Sequence, residues 1–562
     1  MRREVSVVNK KVCSFPILFA LLALLIGTCA VVFPASAQAA PTSTGSITVS
    51  GTVASSYDAY QIFSANVVDG DSDAKIATDL AWASDAARDA VLPVLHSAGM
   101  PNSQTTAREA AEWLNTDSHL TSALSAQLAR SLQSSGAVSV ALNAGTTAEL
   151  PCGYWLIVAD DDAISQNEAG TAPIMALVGG SAVTVKPKAA TPKVVKHVLE
   201  DSTAAWGKAA DATVADDLYW RLSATVPAGL TAYDTYTVRF VDTMSAGLDP
   251  SKVASSIRVY AAAGADGGFD AVQTDKDGRV GTDPAKGWTD ITAQCVTKMA
   301  ADGTFTVRTG DLIAALGGAD AFTAGARVVA VYNAPLSSAC SHGIAKGNPN
   351  EVYLRYPRSP FADQSGDAGF TRTPSDDACA YTWDLALTKR GSDGDKPLAG
   401  AVLSIADDRG RTLAADGTWD AEGKATVTTG EDGRVTVSGV DSGKLKVREL
   451  KAPKGYTAFE GARSVTVKAE GLDVDQVAAA KPKLTITAES PLRADSADGS
   501  TGSLEASLIN TPTGTPPSIT TGGFMPSTGD MAMYAAAAAA VAGAALIVVA
   551  LLVKRGGGSH KE

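Results

Sequence analysis

The 562 residues carry 47 Lys and Arg against 60 Asp and Glu, a formal net charge of -13, with aromatic residues at 6%. That acidic balance excludes a nucleic-acid binder, which needs a concentrated cationic surface. A chain of this length holds about three domains, at roughly 100 to 200 residues each.

In chain order, Arg2, Arg3, Lys10 and Lys11 precede an apolar run from Phe15 to Phe33, and Ala37, Gln38 and Ala39 supply the small residues that signal peptidase cuts after. Residues 1–39 therefore read as a secretory signal peptide, and the remainder of the chain as an exported protein. Cys13 and Cys29 lie in that signal, leaving Cys152, Cys295, Cys340 and Cys379. Sequence alone does not choose among their pairings. Cys340 and Cys379, which flank one predicted strand, are the favoured disulfide, with free buried thiols as the other reading.

A first domain over 40–190 opens with GSITVSG and contains an Ala-rich region, 76–135, whose IATDLAWASDAARDAVLPVLHSAGM and TTAREAAEWLN have helical spacing. From residue 200 onward, alternating runs such as YTVRFVDTM, ARVVAVYNA, EVYLRYP, GRVTVSGV and KLTITAE are separated by Gly, Asp and Pro turns. Period-two alternation with frequent turns predicts antiparallel sandwiches. The expected fold is mainly β: tandem immunoglobulin-like sandwiches with a helical insertion in the first. Boundaries fall at 187–192 and 372–377, giving a second domain over 191–372 and a third over 380–512. A Pro, Thr and Gly-rich linker occupies 513–524.

The chain closes with Met525, Pro526, Ser527, Thr528 and Gly529, then an uncharged run over 531–553, then Lys554 and Arg555. Those apolar positions span roughly 35 Å as a helix, enough to cross a bilayer core. The two basic residues at its end place the short tail on the cytoplasmic side. MPSTG, an apolar helix and a basic tail in that order resemble the LPxTG sorting signal of Gram-positive surface proteins, with Met in place of Leu. The resemblance implies that a sortase cysteine attacks the carbonyl of Thr528, that Gly529 leaves with the tail, and that an amine takes the acyl group. The membrane helix would be transient and the mature protein attached to peptidoglycan.

Three separated signals mark the last domain: Leu387-Thr388-Lys389; the stretch LKVRELKAPKGY from Leu445 to Tyr456, which contains Glu449; and Leu508-Ile509-Asn510-Thr511-Pro512. Together they resemble the collagen-adhesin B-type domain, which implies a spontaneous isopeptide bond between Lys389 and Asn510 with Glu449 as catalytic acid. The chemistry suits those residue types, because burial favours the neutral forms of both an ammonium and a carboxyl group. An amine beside an acid in an apolar core can attack an amide that the acid polarises, and the fold supplies the orientation. Lys389 shares strand parity with Leu387, Glu449 with Leu445 and Val447, and Asn510 with Leu508.

The middle domain repeats the pattern in TPKVVKHV from Thr191, YTVRFVDTMSAGL from Tyr236 and GNPNEVYLRY from Gly347. This resembles the fimbrial isopeptide formation domain of pilins and implies Lys196 as nucleophile, Asp242 as acid and Asn350 as partner. Asn348 has the same parity and is the second candidate. The first domain, with GYWLIV at 153–158 and AVTVKPKA at 182–189, resembles the N-terminal domain of backbone pilins. That resemblance implies Lys188 as the acceptor amine for the next subunit, with Lys186 second. Ala189 stands where the family has Asn and the first strand lacks a lysine, so no isopeptide is expected there.

His96, His119, His197, His342 and His560 show no metal-ligand spacing, and Asp69-Gly70-Asp71-Ser72-Asp73 lacks the sixth-position Gly and twelfth-position Glu of a calcium loop. No metal, no cofactor and no enzymatic turnover are expected. The resemblances together imply the shaft subunit of a sortase-assembled, wall-anchored cell-surface pilus. Its implied partners are sortase, identical subunits, peptidoglycan, minor pilins and host surface ligands. A monomeric wall-anchored adhesin is the alternative.

Overall fold

The computed structural model describes residues 43–514, except 72–73, 117, 171, 188–190, 229, 265–271, 275–279, 283–287, 319–324, 408 and 417. The signal peptide, the linker beyond residue 514, the sorting segment and Lys188 lie outside the described residues. The fold is mainly β, in a tandem of sheet-built units, as the alternating runs predict.

In the first unit the long strand Ser56–Asp69 is the spine, paired with Lys75–Trp82, Ser139–Asn143 and Gly153–Ala159. A smaller sheet sets Thr44–Val49 between Thr147–Pro151 and Val183–Val185, the latter in parallel. Three helices cover one face: Asp85–Ser97, Ala107–Leu114 and Ser122–Ser134. Each starts where a Ser or Thr side chain, at Ser84, Thr106 and Thr121, accepts a hydrogen bond from an otherwise unpaired first-turn N–H. Glu109 closes a full capping box with Thr106. The helical reading of 76–135 needs one correction: its first part is the strand Lys75–Trp82, which buries Lys75 and Ala77 alternately before Ser84 starts the first helix.

The middle unit is a sandwich of two sheets. One runs Ala205–Gly207, Lys193–Glu200, Tyr219–Val226, Ala326–Asn333, Arg258–Ala263 and Thr289–Asp290 in spatial order. The other runs Ala209–Asp211, Asp376–Tyr381, Asn348–Pro357, Arg239–Met244, Thr304–Arg308 and Val296–Met299, with Phe370–Arg372 added beside Asn348–Pro357. Residues 372–377 read as a boundary by composition, yet Asp376–Tyr381 is a strand that pairs antiparallel with Asn348–Pro357. Its Ala378 and Ala380 are buried, which holds it to the middle core although it leads into the last unit.

In the last unit Trp383–Gly391 lies between Arg434–Val440, antiparallel, and Ser503–Pro512, parallel. The facing sheet contains Val402–Ala406, Gly443–Lys451, Ala462–Glu470 and Lys483–Ala488. First and last strands are thus neighbours, the geometry a clasp between chain ends requires.

The units share contacts. Ala126 of the third helix is buried with the middle core, and Arg130 on the same helix donates to the carbonyls of Ala232 and Pro360, each at 3.2 Å. Across the second junction, Asp211 Oδ2 accepts from Trp383 Nε1 at 2.6 Å and from the Ser442 N–H at 3.0 Å. Arg411 forks onto Asp216 at 3.0 and 2.8 Å.

Candidate functional site

One buried cluster of lysine, carboxyl and asparagine lies in the middle unit and another in the last. In the last unit, strand alternation turns Leu385, Leu387 and Lys389 inward on one strand and Leu445, Val447 and Glu449 on another. Lys389 is 1% exposed, so its ammonium has left water without a fully opposed charge. Its Nζ lies 3.7 Å from Glu449 Oε1 and donates to the Leu508 carbonyl at 3.1 Å. Asn510 is placed opposite Gly391 by the parallel register, two residues beyond the Lys389–Leu508 pair. Its Nδ2 donates to both oxygens of Glu449, at 2.9 and 3.0 Å. Lys389 and Asn510 therefore meet on one carboxyl group, presented from the opposite sheet. Burial pushes the Lys389 amine down to about 8, with Glu449 acting in the other direction. The KAPKGY tail folds back so that Tyr456 and Thr457 pair with Pro512 and Thr511, covering the end of the strand that carries Asn510.

In the middle unit the arrangement crosses between sheets. Lys196 projects from one sheet; Asp242 and Asn350 project from two neighbouring antiparallel strands of the other, Asp242 opposite Val352 and Asn350 opposite Met244. All three are fully buried. Lys196 Nζ makes a short ion pair with Asp242 Oδ2 and also donates to Tyr332 Oη at 2.9 Å. Tyr332 donates to Asp242 Oδ2 at 3.0 Å, and its oxygen accepts from Asn350 Nδ2 at 2.8 Å. Burial pushes the lysine down to about 8, against the pull of Asp242, and raises the Asp242 carboxyl against the pull of Lys196. Both displacements favour an amine beside an acid. The Trp220 and Tyr332 rings stand with their centroids 5.5 Å from Nζ and close the pocket.

The two asparagine amides share one feature. The Oδ1 atoms of Asn350 and Asn510 are buried and have no hydrogen-bond partner among the described residues. Turning either amide over about its last torsion exchanges oxygen for nitrogen at nearly the same positions. Oδ1 would then face the Tyr332 hydroxyl in one unit and the Glu449 carboxyl in the other, the contacts that polarise a carbonyl toward attack.

Asn348, the second candidate, is buried elsewhere. It donates to the carbonyls of Ser341 at 2.9 Å and Ala380 at 3.1 Å, and accepts from the Ser341 N–H at 2.9 Å. That side chain is already satisfied and lies away from Lys196. The expected Cys340–Cys379 disulfide is corrected: Cys152, Cys295, Cys340 and Cys379 are all free thiols. Asn348, bridging Ser341 to Ala380, occupies the space between the two cysteine-bearing segments. Tyr332 was not singled out by sequence reasoning. Parity puts Tyr332 with Val328 and Ala330 on the face turned to the middle core, but Val329 and Val331 are buried on the other face, so alternation alone did not mark it.

Lys186 is exposed. Lys188, Met525, Pro526, Ser527, Thr528 and Gly529 lie outside the described residues. Among the described residues no helix is long and apolar enough to cross a membrane, and no metal-holding group of His, Cys, Asp or Glu is found.

Residues 384–481 match the family model described as the SpaA prealbumin-like fold domain. The chain is 32% identical over 120 residues to the trypsin-resistant surface T6 protein of Streptococcus pyogenes serotype M6, a match that spans 20% of each protein. Among solved structures, the T6 backbone pilin of serotype M6 Streptococcus pyogenes aligns with 17% identity and a TM-score of 0.46, covering 84% of this chain and 98% of that one. The major pilin SpaD of Corynebacterium diphtheriae aligns with 16% identity and a TM-score of 0.40, with the same coverage. The last unit of this chain is thus similar to SpaA prealbumin-like domains, and the cluster of Lys389, Glu449 and Asn510 is built on that unit.

Proposed function

We propose that the chain is the shaft subunit of a covalently polymerised cell-surface pilus. In this reading sortase joins Thr528 of one subunit to Lys188 of its neighbour and finally attaches the polymer to peptidoglycan, while internal Lys389–Asn510 and Lys196–Asn350 bonds brace each subunit. The observation that carries the reading is the recurrence, in tandem, of a buried lysine, a buried acid and a buried asparagine, joined directly at Glu449 in the last unit and through Tyr332 in the middle one. A fibre under tension needs its units closed covalently, whereas an enzyme acting on external substrates needs its reactive groups open to solvent.

The chemistry is a single event in each unit. The lysine Nζ, as free amine, attacks the asparagine Cγ. A new C–N bond forms, the bond from Cγ to Nδ2 breaks, and ammonia leaves with the proton that the amine gave up. The buried acid holds and returns that proton: Asp242 in the middle unit and Glu449 in the last. Orientation by the folded core supplies the effective concentration, of order 10⁵ M or more. In the middle unit the bond would fasten one sheet to the other. In the last it would fasten first strand to last strand within one sheet. The T6 relative is a trypsin-resistant surface protein, which agrees with such bracing.

The deciding experiment is an immunoblot of cell-wall extract, boiled in detergent and reductant, from cells expressing wild type or Lys188→Ala. A high-mass ladder that collapses in the variant supports the shaft reading. A ladder that persists moves the acceptor to Lys186. A single monomer-sized wall product from both strains overturns polymerisation and leaves a wall-anchored adhesin.

A further inference from the structure

Where Lys196 stands, the strand beside it leaves the sheet. Ala205–Gly207 runs antiparallel to Lys193–Glu200 with Gly207 opposite Val198, and that register continued would set Ala209 opposite Lys196. Instead the chain crosses at Lys208 to the other sheet, where Ala209–Asp211 pairs in parallel with Asp376–Tyr381. The backbone N–H and carbonyl of Lys196 on that side are left without a strand partner, and buried backbone polar groups must find others. Asp376 and Lys208 take both places. The Lys196 N–H donates to Asp376 Oδ2 at 2.6 Å, and Lys208 Nζ donates to the Lys196 carbonyl at 2.9 Å. Lys208 also makes a short ion pair with Asp376 Oδ2 and donates to the Asp377 carbonyl at 3.0 Å. Lys208 is buried, so its ammonium is held inside the protein by these three oxygens.

We propose that Lys208 and Asp376 are positioning residues for the Lys196–Asn350 bond, an assignment that rests on the cross-link proposed for the middle unit. Together they clamp the backbone of the nucleophile's strand, in one sheet, to the strand that lies beside the electrophile in the other. Asp376 stands opposite Val352, and Ala378, two residues along, stands opposite Asn350. The clamp thus fixes the backbone of Lys196 relative to the strand that carries the amide. From that fixed point the lysine side chain crosses the core to Asp242 and Tyr332.

The last unit holds its nucleophile differently. There the Lys389 N–H donates to the Gly433 carbonyl at 2.7 Å, and the Lys389 carbonyl accepts from the Leu398 N–H at 2.9 Å, so backbone groups alone fix the strand. Only the middle unit sets a charged pair in those places. The pair is matched in charge as well as in geometry. The groups that face Lys196 are Asp242 from Arg239–Met244, Tyr332 from Ala326–Asn333, Asp376 from Asp376–Tyr381 and Lys208 from the crossing. Burial pushes the Lys196 amine down to about 8, Asp242 and then Asp376 pull the other way, and the Lys208 ammonium acts with burial. Removing one member of the pair leaves the charge of the other uncompensated beside the nucleophile.

The test follows the full-length chain from cell-free synthesis and measures, at intervals, the cross-linked peptides Lys196–Asn350 and Lys389–Asn510 by mass spectrometry. Wild type is compared with Lys208→Met, Asp376→Ala and Asp376→Asn. The first bond is expected to form about tenfold to a hundredfold more slowly in Lys208→Met and Asp376→Ala, since a small misplacement of a reacting group costs that much. Asp376→Asn should lose less, because its amide oxygen still accepts from the Lys196 N–H. The Lys389–Asn510 bond should keep its wild-type rate throughout. Rate against pH gives a readout that a contact merely holding the fold would not move. The rise in rate should shift to higher pH in Lys208→Met, where the lone carboxylate keeps the amine charged, and to lower pH in Asp376→Asn, where the lone ammonium does the reverse. Slowing of both bonds together would report misfolding, and the pH shift in the near-isosteric Asp376→Asn then decides. Wild-type rates and pH profiles in all three variants, or slower formation without the opposed pH shifts, would overturn the assignment and leave the cross-link in place. Absence of the Lys196–Asn350 peptide from wild type would overturn the cross-link itself, and the clamp with it.

Discussion

Tyr332 donates its hydroxyl to Asp242 Oδ2 at 3.0 Å across the two sheets of the middle unit, and the same oxygen stands 2.9 Å from the Lys196 amine and 2.8 Å from the Asn350 amide nitrogen. One phenol thereby touches nucleophile, acid and electrophile. Its role follows from that position: with Asp242 protonated and donating to the phenol oxygen, and the amide turned over, the phenol proton is released to turn to the carbonyl oxygen as negative charge develops there.

Tyr332→Phe should therefore slow bond formation in the middle unit by about a hundredfold, the lower end of what a positioned proton donor contributes. The last unit, with its own acid, should be unaffected. Intact mass at intervals after refolding should show one ammonia lost promptly and a second lost slowly. Prompt loss of both would remove Tyr332 from the mechanism.

The choice between the two asparagines is testable in the same way. Asn350→Ala should leave the purified chain short of its own sequence mass by one ammonia, where wild type is short by two. Asn348→Ala should retain both losses and instead lower stability by about 1 to 3 kcal/mol, because the Ser341 and Ala380 carbonyls lose their buried donor. Retention of ammonia in Asn348→Ala would reverse the assignment.

Glu449→Ala should likewise retain one ammonia, since Asn510 and Lys389 would lose the carboxyl on which they meet. Without the cross-link the last unit loses a closure spanning its first and last strands. The chain-entropy model developed for disulfides puts that loss at about 4 to 5 kcal/mol for a loop of roughly 100 residues. Trypsin digestion should be markedly faster in the variant, with new cuts confined to the last unit.

Docking of the middle and last units rests in part on Asp211, whose one oxygen receives Trp383 Nε1 and the Ser442 N–H. Asp211→Ala strands the fully buried indole N–H of Trp383 and should cost about 2 to 3 kcal/mol. Small-angle scattering should then show a broader distribution of end-to-end length, while both ammonia losses persist. Unchanged scattering would show that apolar contact alone sets the angle between the units.

The same junction should respond to pH through His342 and Asp384. Hydrogen bonding to Asp384 and Cys340 raises His342 from its ordinary 6.5 to about 10, so its contribution is complete below about 6.5 and is lost as pH rises through about 10. The Asp384 carboxyl is depressed below 3.8 by its hydrogen bond to His342, although burial opposes it, so its contribution is present above that value and is lost as pH falls through the depressed one. The thermal midpoint should accordingly decline from pH 7 to pH 10 in wild type and decline less in His342→Gln. Equal slopes in the two would show that the pair does not stabilise the junction.

Much of this was legible in the residues. The alternation of Leu385, Leu387 and Lys389, of Leu445, Val447 and Glu449, and of Phe240 with Asp242 places each polar group on a buried face, because a strand repeats every two residues whatever it pairs with. Sequence by itself thus determined the mainly β architecture, the helical insertion and the buried faces on which two sets of lysine, acid and asparagine lie. Parity, however, names a face and not a neighbour. Asn348 and Asn350 have the same parity, and only the packing of Ser341 and Ala380 around one, and of Tyr332 against the other, separates them. Cys340 and Cys379 flank a strand in sequence, yet the Asn348 side chain bridges the two segments. Asp384 meets His342 across the boundary between two units, a contact between groups more than forty residues apart that no local pattern encodes. Those choices belong to tertiary structure because they depend on which faces meet, and that is settled by the joint packing of the whole core.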